Sequence, residues 1–251
     1  MRSSSRLFNM FSDVRRIAGG GAAGLQIVPL EGDREFALGT YELPVQAALA
    51  DRVGAGGVVY DVGANIGFFT LLAARCVGPA GRVYAFEPVD RNAAAIERSV
   101  RLNGFATVEV FRNAVGASNG AADLNLARHI GGAVLATVGV PPDRRGSVTV
   151  EVVSLDSVIA ERGLRPPSLV KIDVEGAELD VLSGMRQTLR AHRPVLICEA
   201  DDATREGLRL KTEALSAALA GLGYSLTGLA PSYPDAGWHV AHFVAEAAAD
   251  R

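Results

Sequence analysis

The sequence predicts an α/β protein with a doubly wound, mostly parallel sheet. From about residue 45 onward, short continuous apolar runs alternate with segments of helical length. Apolar runs without polar alternation are typical of strands that helices cover on both faces. The last two runs have no helix between them, and their connecting loop contains Pro231, Pro234 and Gly237. We therefore predict a hairpin there, which places one antiparallel strand at or near an edge.

The elements follow in a regular order. The predicted strands are 58–61, 82–87, 108–113, 168–174, 194–200, 224–229 and 239–246. The predicted helices are 67–77, 90–103, 177–191 and 204–222. Residues 1–45 are predicted to form an N-terminal cap, and residues 46–251 a single cofactor-binding domain. Within it, residues 117–147 are glycine-rich, and we predict an irregular insertion, which at this length is often a lid or binding loop.

The composition excludes some classes of function. The 251 residues are 49% hydrophobic and 21% charged, as in a globular protein, and the net charge of −3 offers no basic field for nucleic acid. No apolar run approaches the roughly 18 residues of a membrane span, and the N-terminal arginines precede no apolar signal region. We therefore expect a cytoplasmic protein. Cys76 and Cys198 are predicted to be buried free thiols, and a homo-oligomer is left open.

The turn DVGANIG at 61–67 lies between the first strand and a helix. A phosphate-binding P-loop needs Lys-Ser/Thr after the last glycine, where Phe68 and Phe69 stand here. A dinucleotide fingerprint needs glycines where Asn65 and Phe68 stand. Asp61 would repel a pyrophosphate but attract an ammonium or sulfonium, and S-adenosylmethionine carries both. A helix-capping role for Asp61 is the alternative.

Two further strand ends extend this interpretation to a nucleoside. Glu87, followed by Pro88, ends the second strand, where an acid can accept hydrogen bonds from ribose hydroxyls. Asn113 ends the third strand, where its amide can bond an adenine edge while Val115 packs on the ring. The predicted cofactor contacts are Asp61, Gly63, Ala64, Asn65, Gly67, Glu87, Pro88, Asn113, Ala114, Val115 and Asp173.

Five segments resemble the FkbM family of class I methyltransferases. They are GTYELPVQAAL at 39–49, VVYDVGANIGFFTLLAA at 58–74, VYAFEPVDRN at 83–92, NAVG at 113–116 and SLVKIDVEGAELDVLSG at 168–184. The KIDVEGAE block is the most specific of them. Together they cover roughly residues 39–200. The resemblance implies a Rossmann-like, seven-stranded sheet with a reversed last strand.

The resemblance also implies O-methylation by S-adenosylmethionine, commonly of a hydroxyl on a sugar, polyketide or other natural-product scaffold. The expected partner is thus a small-molecule hydroxyl substrate. The acceptor itself is not implied, because the chain after residue 200 is less family-like. Two alternatives stay open: N-methylation of an amine or peptide, and a cofactor-binding protein without catalysis.

Several residues are candidates for the chemistry. An aliphatic hydroxyl needs a nearby base or metal before it can attack a methyl group. Asp173, at the end of the fourth strand, is the leading candidate base, and Glu175 and His129 are further candidates. A helix-capping acid and an exposed loop histidine are the simpler alternatives for Asp173 and His129. Tyr41 and Glu42 are predicted to fold over the amino-acid end of the cofactor, with Glu42 facing the ammonium.

A magnesium site is a further hypothesis. Asp173, Glu199 and Asp201 lie at the ends of two successive strands, and carboxylate oxygens are the ligands that Mg²⁺ prefers. Alternatively, Asp201 only caps the following helix. The histidines of the last strand, at 239 and 242, are predicted to be structural.

Overall fold

The computed structural model of the protein describes residues 14–30, 34–126, 133–139, 144–233 and 238–248. The strands in these ranges are β1 (Arg15–Arg16), β2 (Gln26–Ile27), β3 (Val58–Val62), β4 (Arg82–Phe86), β5 (Val108–Phe111), β6 (Ala114–Val115), β7 (Gly120–Leu126), β8 (Ala133–Leu135), β9 (Gly146–Val153), β10 (Leu169–Ile172), β11 (Val195–Asp202), β12 (Tyr224–Gly228) and β13 (His239–Ala247). The helices are α1 (Arg34–Leu38), α2 (Leu43–Arg52), α3 (Phe68–Val77), α4 (Asp90–Leu102), α5 (Leu155–Arg162), α6 (Glu178–Gly184), α7 (Arg186–His192) and α8 (Arg205–Ala220).

Seven of the strands form the central sheet, in the order β12-β13-β11-β10-β3-β4-β5. The pairs from β11 to β5 are parallel, whereas β13 runs antiparallel to both of its neighbours, β11 and β12. The predicted doubly wound sheet with a reversed last strand is therefore confirmed. The reversed strand lies second from the edge, because β12 covers its outer side.

Two apolar clusters enclose this sheet. Every residue of β3 is buried, and alternate side chains enter opposite clusters, with Val59 in the first and Tyr60 in the second. The first cluster also contains Leu49, Leu71 and Ile96 from α2, α3 and α4. The second contains side chains of α5 to α8. Since each buried aliphatic side chain contributes roughly 1.5–3 kcal/mol, continuous apolar strands are stable only in such a covered sheet.

The N-terminal segment packs onto the first cluster. Ile17, Ile27 and Val28 are buried in it, and the Val28 amide donates to Ser99 Oγ of α4 at 2.9 Å. Helix α2 spans the boundary predicted at residue 45. The segment therefore shares its core with the central sheet, and its description as a cap stays a prediction.

The prediction of an irregular insertion at 117–147 was wrong. Strands β7, β8 and β9 join β6 in a four-stranded sheet of order β6-β9-β7-β8. Leu124 and Val150 are buried in a third cluster between these strands. The other side chains of β7 are mostly polar or small, which weakens its pattern, whereas the alternation of valine with polar residues in β9 was a usable signal that was missed. The candidate base His129 lies outside the described residues.

Other boundaries differ in smaller ways. The helix predicted at 177–191 is two helices, α6 and α7, which meet at the buried Met185. Helix α5 was not predicted, although Ser154 caps it by accepting a hydrogen bond from the Ser157 amide. Cys76 and Cys198 are both free thiols, as predicted. Cys198 is also buried, as predicted, whereas Cys76 is only partly buried. No helix among the described residues is long and apolar enough to cross a membrane.

Gly184 tests how tightly the four-stranded sheet packs against α6. A Cβ at Gly184 would collide with the carbonyl oxygen of Gly116, directly after β6. We expect Gly184→Ala to lower the free energy of unfolding by about 1–3 kcal/mol, the usual cost of overpacking. Gly146→Ala is the control, because a Cβ there meets no atom within 4 Å. Urea denaturation that finds equal stability for both variants would contradict this contact.

Candidate functional site

The carboxyl ends of β3 and β10 border a small cleft. The side chains and backbone that line it are those of Phe36, Tyr41, Gly63, Ala64, Asn65, Ile66, Phe68, Phe69, Lys171 and Asp173. Ligands of open α/β sheets bind at this edge of the strands. Five of the predicted contacts, Tyr41, Gly63, Ala64, Asn65 and Asp173, are therefore brought together in one cleft.

The glycine turn is shaped by close contacts that exclude side chains. Gly63 has φ +79°, and a Cβ there would collide with the carbonyl oxygen of Asp173. Gly67 has φ +88°, and a Cβ there would lie 3.0 Å from Ile96. Asn65 between them also has a positive φ, +52°, which asparagine tolerates better than most residues. Gly63 thus lets the turn after β3 approach the end of β10, and Gly67 lets it approach α4.

Glu87 is buried beside this turn at the end of β4. Its Oε2 accepts the amide N–H of Asn65 at 2.8 Å, and its Oε1 accepts the amide N–H of Val89 at 2.9 Å. Burial raises the pKa of Glu87 to about 8, although these two hydrogen bonds lower it. The structure therefore holds the second predicted acid against the turn with a fixed orientation.

Asp61 lies beneath the cleft with only 1% of its surface exposed. Its Oδ2 accepts a hydrogen bond from Thr70 Oγ1 of α3, whereas Oδ1 has no hydrogen-bond partner among the described residues. Burial raises the pKa of Asp61, and the positive charge of Lys171 opposes that rise. A buried acceptor without a donor is rare in proteins, so this oxygen marks a place for a cation or donor.

Lys171 is the principal site residue that the sequence analysis missed. Its Nζ lies 2.8 Å from Asp173 Oδ2 and 4.7 Å from the centre of the Phe69 ring, and its side chain is 5% exposed. Burial opposes its charge, but nearby carboxylates outweigh burial and raise the pKa of Lys171. They belong to Asp173, Asp61 and Glu42. Alternation along a strand places Lys171 on the same face as Asp173, and this spacing of two was a usable signal.

Glu42 does not line the cleft, and it belongs to a second group, the Glu42–Glu199–His242 cluster. Its predicted contact with the cofactor ammonium stays a prediction. His242 Nε2 lies 2.7 Å from Glu199 Oε2 and 3.4 Å from Glu42 Oε2. Glu42 has a left-handed backbone, with φ +45°, and Tyr233 donates to its Oε1 at 2.8 Å. Both carboxylates raise the pKa of His242 above its usual range, although burial alone would lower it. The sequence analysis predicted His242 to be structural. Its pairing with Glu199 depends on the β11–β13 register, which only the structure reveals.

The three predicted magnesium ligands do not form one group. Asp173 is paired with Lys171, and Asp201 accepts a hydrogen bond from the Trp238 indole. Among the described residues, one group of three possible metal ligands has its donor atoms within 4.8 Å of one another. That group is the Glu42–Glu199–His242 cluster. Glu199 is the one predicted ligand that it includes.

The remaining predicted residues are not among those that line the cleft. Asn113 donates its amide to Glu151 Oε2 at 2.8 Å, and Val115 is buried in the second core cluster. Ala114 is buried in the third cluster. Glu175 is partly buried with φ +54°, and burial raises its pKa to about 9. Their proposed contacts with cofactor or substrate stay predictions, as does that of Pro88.

Comparisons with known proteins point to one family. A family model described as the methyltransferase FkbM domain matches residues 61–226, more than half of the chain. The chain is 28% identical over 156 residues to the hexuronic acid methyltransferase AglP of Haloferax volcanii, covering 62% of this chain and 61% of AglP. It is 34% identical over 167 residues to the 31-O-demethyl-FK506 methyltransferase FkbM of Streptomyces tacrolimicus, covering 52% and 60%. The chain thus spans about three fifths of the length of these curated relatives.

Solved structures show the same fold at lower identity. A methyltransferase FkbM from Methylobacillus flagellatus KT has a TM-score of 0.50 and 20% identity, covering 75% of this chain and 43% of that one. A SAM dependent methyltransferase from Aquifex aeolicus has a TM-score of 0.50 and 12% identity, covering 87% and 94%. At these identities the likeness concerns the fold alone.

Lys171 should contribute strongly to stability. Lys171→Met removes the only lysine near Asp173 in the described chain and leaves buried carboxylates uncompensated. We expect the free energy of unfolding to fall by about 3–5 kcal/mol, as for other broken buried ion pairs. Lys211→Met is the control: Lys211 is 38% exposed beside Asp202, and exposed pairs contribute only about 0–1 kcal/mol. Chemical denaturation that finds equal losses would contradict the stabilising role of Lys171.

Proposed function

We propose that this chain, which belongs to the FkbM methyltransferase family, transfers a methyl group from S-adenosylmethionine to a hydroxyl of a small molecule. The observation that carries the proposal is the arrangement of Asp61, Glu87 and Asp173, one acid at the end of each of β3, β4 and β10, around a single glycine turn. The cytoplasm, where the methyl donor is made, is the proposed location.

The residues present fit this cofactor at three points. The unpartnered Oδ1 of Asp61 supplies negative charge beneath the cleft, as an ammonium or sulfonium requires. Gly63, without a side chain, lets backbone and ligand approach closely. Glu87, oriented by the Asn65 amide, is the proposed acceptor for ribose hydroxyls. Bound S-adenosylmethionine supplies an electrophilic methyl group.

The protein contributes position and a proton acceptor. Phe36 and Tyr41, whose ring centres are 4.2 Å apart, wall the cleft together with Phe68 and exclude water from it. Asp173 is the proposed base for the acceptor hydroxyl, and Lys171 orients it through a contact of 2.8 Å with its Oδ2. Holding the hydroxyl in line beside the base supplies much of the rate.

The relatives favour oxygen as the methyl acceptor. FkbM of Streptomyces tacrolimicus is a 31-O-demethyl-FK506 methyltransferase, and NoeI of Sinorhizobium fredii, 26% identical, is a 2-O-methyltransferase. AglP methylates hexuronic acid. A sugar or other hydroxylated natural product is thus the proposed substrate class. N-methylation is the alternative, since Asp173 would be less necessary for a more nucleophilic amine.

Cofactor binding is the first test. We expect the wild-type protein to bind S-adenosylmethionine in calorimetry and Glu87→Gln to bind it about 10- to 100-fold more weakly, since the amide replaces one acceptor oxygen with a donor. Glu97→Gln, on the outer side of α4, is the matched control, because Glu97 pairs with Arg112. Circular dichroism checks that both variants fold. A wild-type protein that binds no S-adenosylmethionine would refute the proposal.

Product formation is the second test. The protein is incubated with isotopically methyl-labelled S-adenosylmethionine and matched panels of hydroxylated and amine acceptors, and products are located by fragmentation mass spectrometry. We expect O-methyl products, and we expect Asp173→Asn to lower kcat by about 10²- to 10⁴-fold with little change in cofactor affinity. Asp180→Asn, exposed on α6, is the control. Equal losses of kcat and affinity would make Asp173 a cofactor-binding residue, and N-methyl products would favour the alternative.

A further inference from the structure

Three donor atoms of the Glu42–Glu199–His242 cluster point at one place. His242 Nε2 lies 2.7 Å from Glu199 Oε2 and 3.4 Å from Glu42 Oε2. The three atoms come from the turn before α2, from β11 and from β13, so no local sequence pattern accounts for their meeting. Two carboxylate oxygens facing a nitrogen lone pair repel one another unless a cation lies between them. That cation is either a proton on His242 or a metal ion.

Glu42 provides an independent observation. Its side chain is 1% exposed, and Oε2 has no hydrogen-bond partner among the described residues. Its other oxygen is occupied by the Tyr233 hydroxyl at 2.8 Å. A buried carboxylate oxygen without a donor costs free energy unless a cation compensates it, and this oxygen is aimed at His242 Nε2. A proton shared between His242 and Glu199 gives this oxygen no hydrogen bond, although the charges of Lys171 and His242 attract it.

The surrounding charge is negative. Glu199 lies within electrostatic reach of Asp173 and Glu42, and Lys171 is the buried ammonium that the structure describes nearby. The charge of Lys171 alone does not compensate these three carboxylates and that of Asp61. A divalent ion between Glu42, Glu199 and His242 would reduce the excess of negative charge.

We propose that Glu42, Glu199 and His242 bind a divalent transition-metal ion. Two carboxylates and one imidazole favour Mn²⁺, Fe²⁺ or Zn²⁺ over Mg²⁺, which prefers oxygen ligands alone. The outer groups suit such a site: Tyr233 orients Glu42, and Ser232 Oγ lies 3.4 Å from His242 Nδ1. Glu199, whose side chain is 15% exposed, provides the route of entry.

The site adjoins the cleft without belonging to it. Tyr41, which lines the cleft, directly precedes Glu42 in the chain, and its ring lies 6.5 Å from that of Tyr233. An ion held there would offer Lewis-acid chemistry one side chain away from Asp173. Metal binding does not depend on the proposed methyl transfer, because the ligands are separate from Asp61, Glu87 and the glycine turn.

Mn²⁺ is the probe for the test. The full chain is stripped with a chelator, titrated with MnCl₂, and free Mn²⁺ is followed by electron paramagnetic resonance. We expect one bound Mn²⁺ per chain, with a nitrogen coupling from one imidazole in electron spin echo spectra. Zn²⁺ should displace it at lower concentration than Mg²⁺ does. No saturable binding, binding without a nitrogen coupling, or equal displacement by Mg²⁺ would overturn the proposal.

Variants locate the ion. Glu42→Gln retains an oxygen for Tyr233, and His242→Gln retains a polar side chain. We expect each to weaken Mn²⁺ binding by more than about 100-fold, and Tyr233→Phe to weaken it by about 10- to 100-fold, the range for outer-shell partners. His239→Gln on the same strand and Glu35→Gln on the surface of α1 are the controls, with unchanged affinity. Undiminished binding by both ligand variants would overturn the proposal.

S-adenosylmethionine titration of the same samples separates the two proposals. We expect His242→Gln to retain cofactor binding while it loses Mn²⁺. Where a variant fails to fold, the nitrogen coupling in the wild-type protein decides the outcome alone. A wild-type protein that binds Mn²⁺ but no cofactor would refute the proposed function and leave the metal site standing.

Discussion

The buried ammonium of Lys171 is the interaction on which the candidate site depends. It lies 2.8 Å from Asp173 and within electrostatic reach of Asp61 and Glu42, which come from three different parts of the chain. Taking these carboxylates out of water is unfavourable, and a central cation offsets much of that cost. Because the β10 strand is buried and the Lys171 side chain is only 5% exposed, the surrounding carboxylates replace water as partners of its ammonium group.

The conformation of the glycine turn depends on its contacts with the neighbouring strand ends as much as on its own sequence. Gly63 presses against the carbonyl of Asp173, so that the ends of β3 and β10 share one boundary. Glu87 is then fixed from the other side by the Asn65 amide. The turn therefore couples three strand ends. A side chain at Gly63 would strain the backbone. It would also push the ends of β3 and β10, and with them Asp61 and Asp173, apart.

The central sheet was predictable because its signal is local. Continuous apolar runs, such as the five buried residues of β3, have one stable use in a domain of this size, a strand covered on both faces. Strand β7 of the four-stranded sheet escaped prediction because it mixes buried Leu124 with polar and small neighbours, which weakens the alternation, whereas β9 carries an alternating valine pattern that could have been used. The cluster at His242 escaped because its partner Glu199 lies 43 residues away and meets it only across the β11–β13 pairing.

The sequence alone determined the sheet, its reversed last strand, the glycine turn and the acids Asp61, Glu87 and Asp173 at strand ends, since each follows from short-range pattern and residue chemistry. Tertiary structure decided which of these groups are charged partners. In the folded protein Asp173 forms an ion pair with Lys171, and Glu42 contacts His242. Asp201 accepts a hydrogen bond from the Trp238 indole. The physical reason is that electrostatic pairing depends on distances of a few ångströms between groups distant in sequence, and folding alone sets those distances.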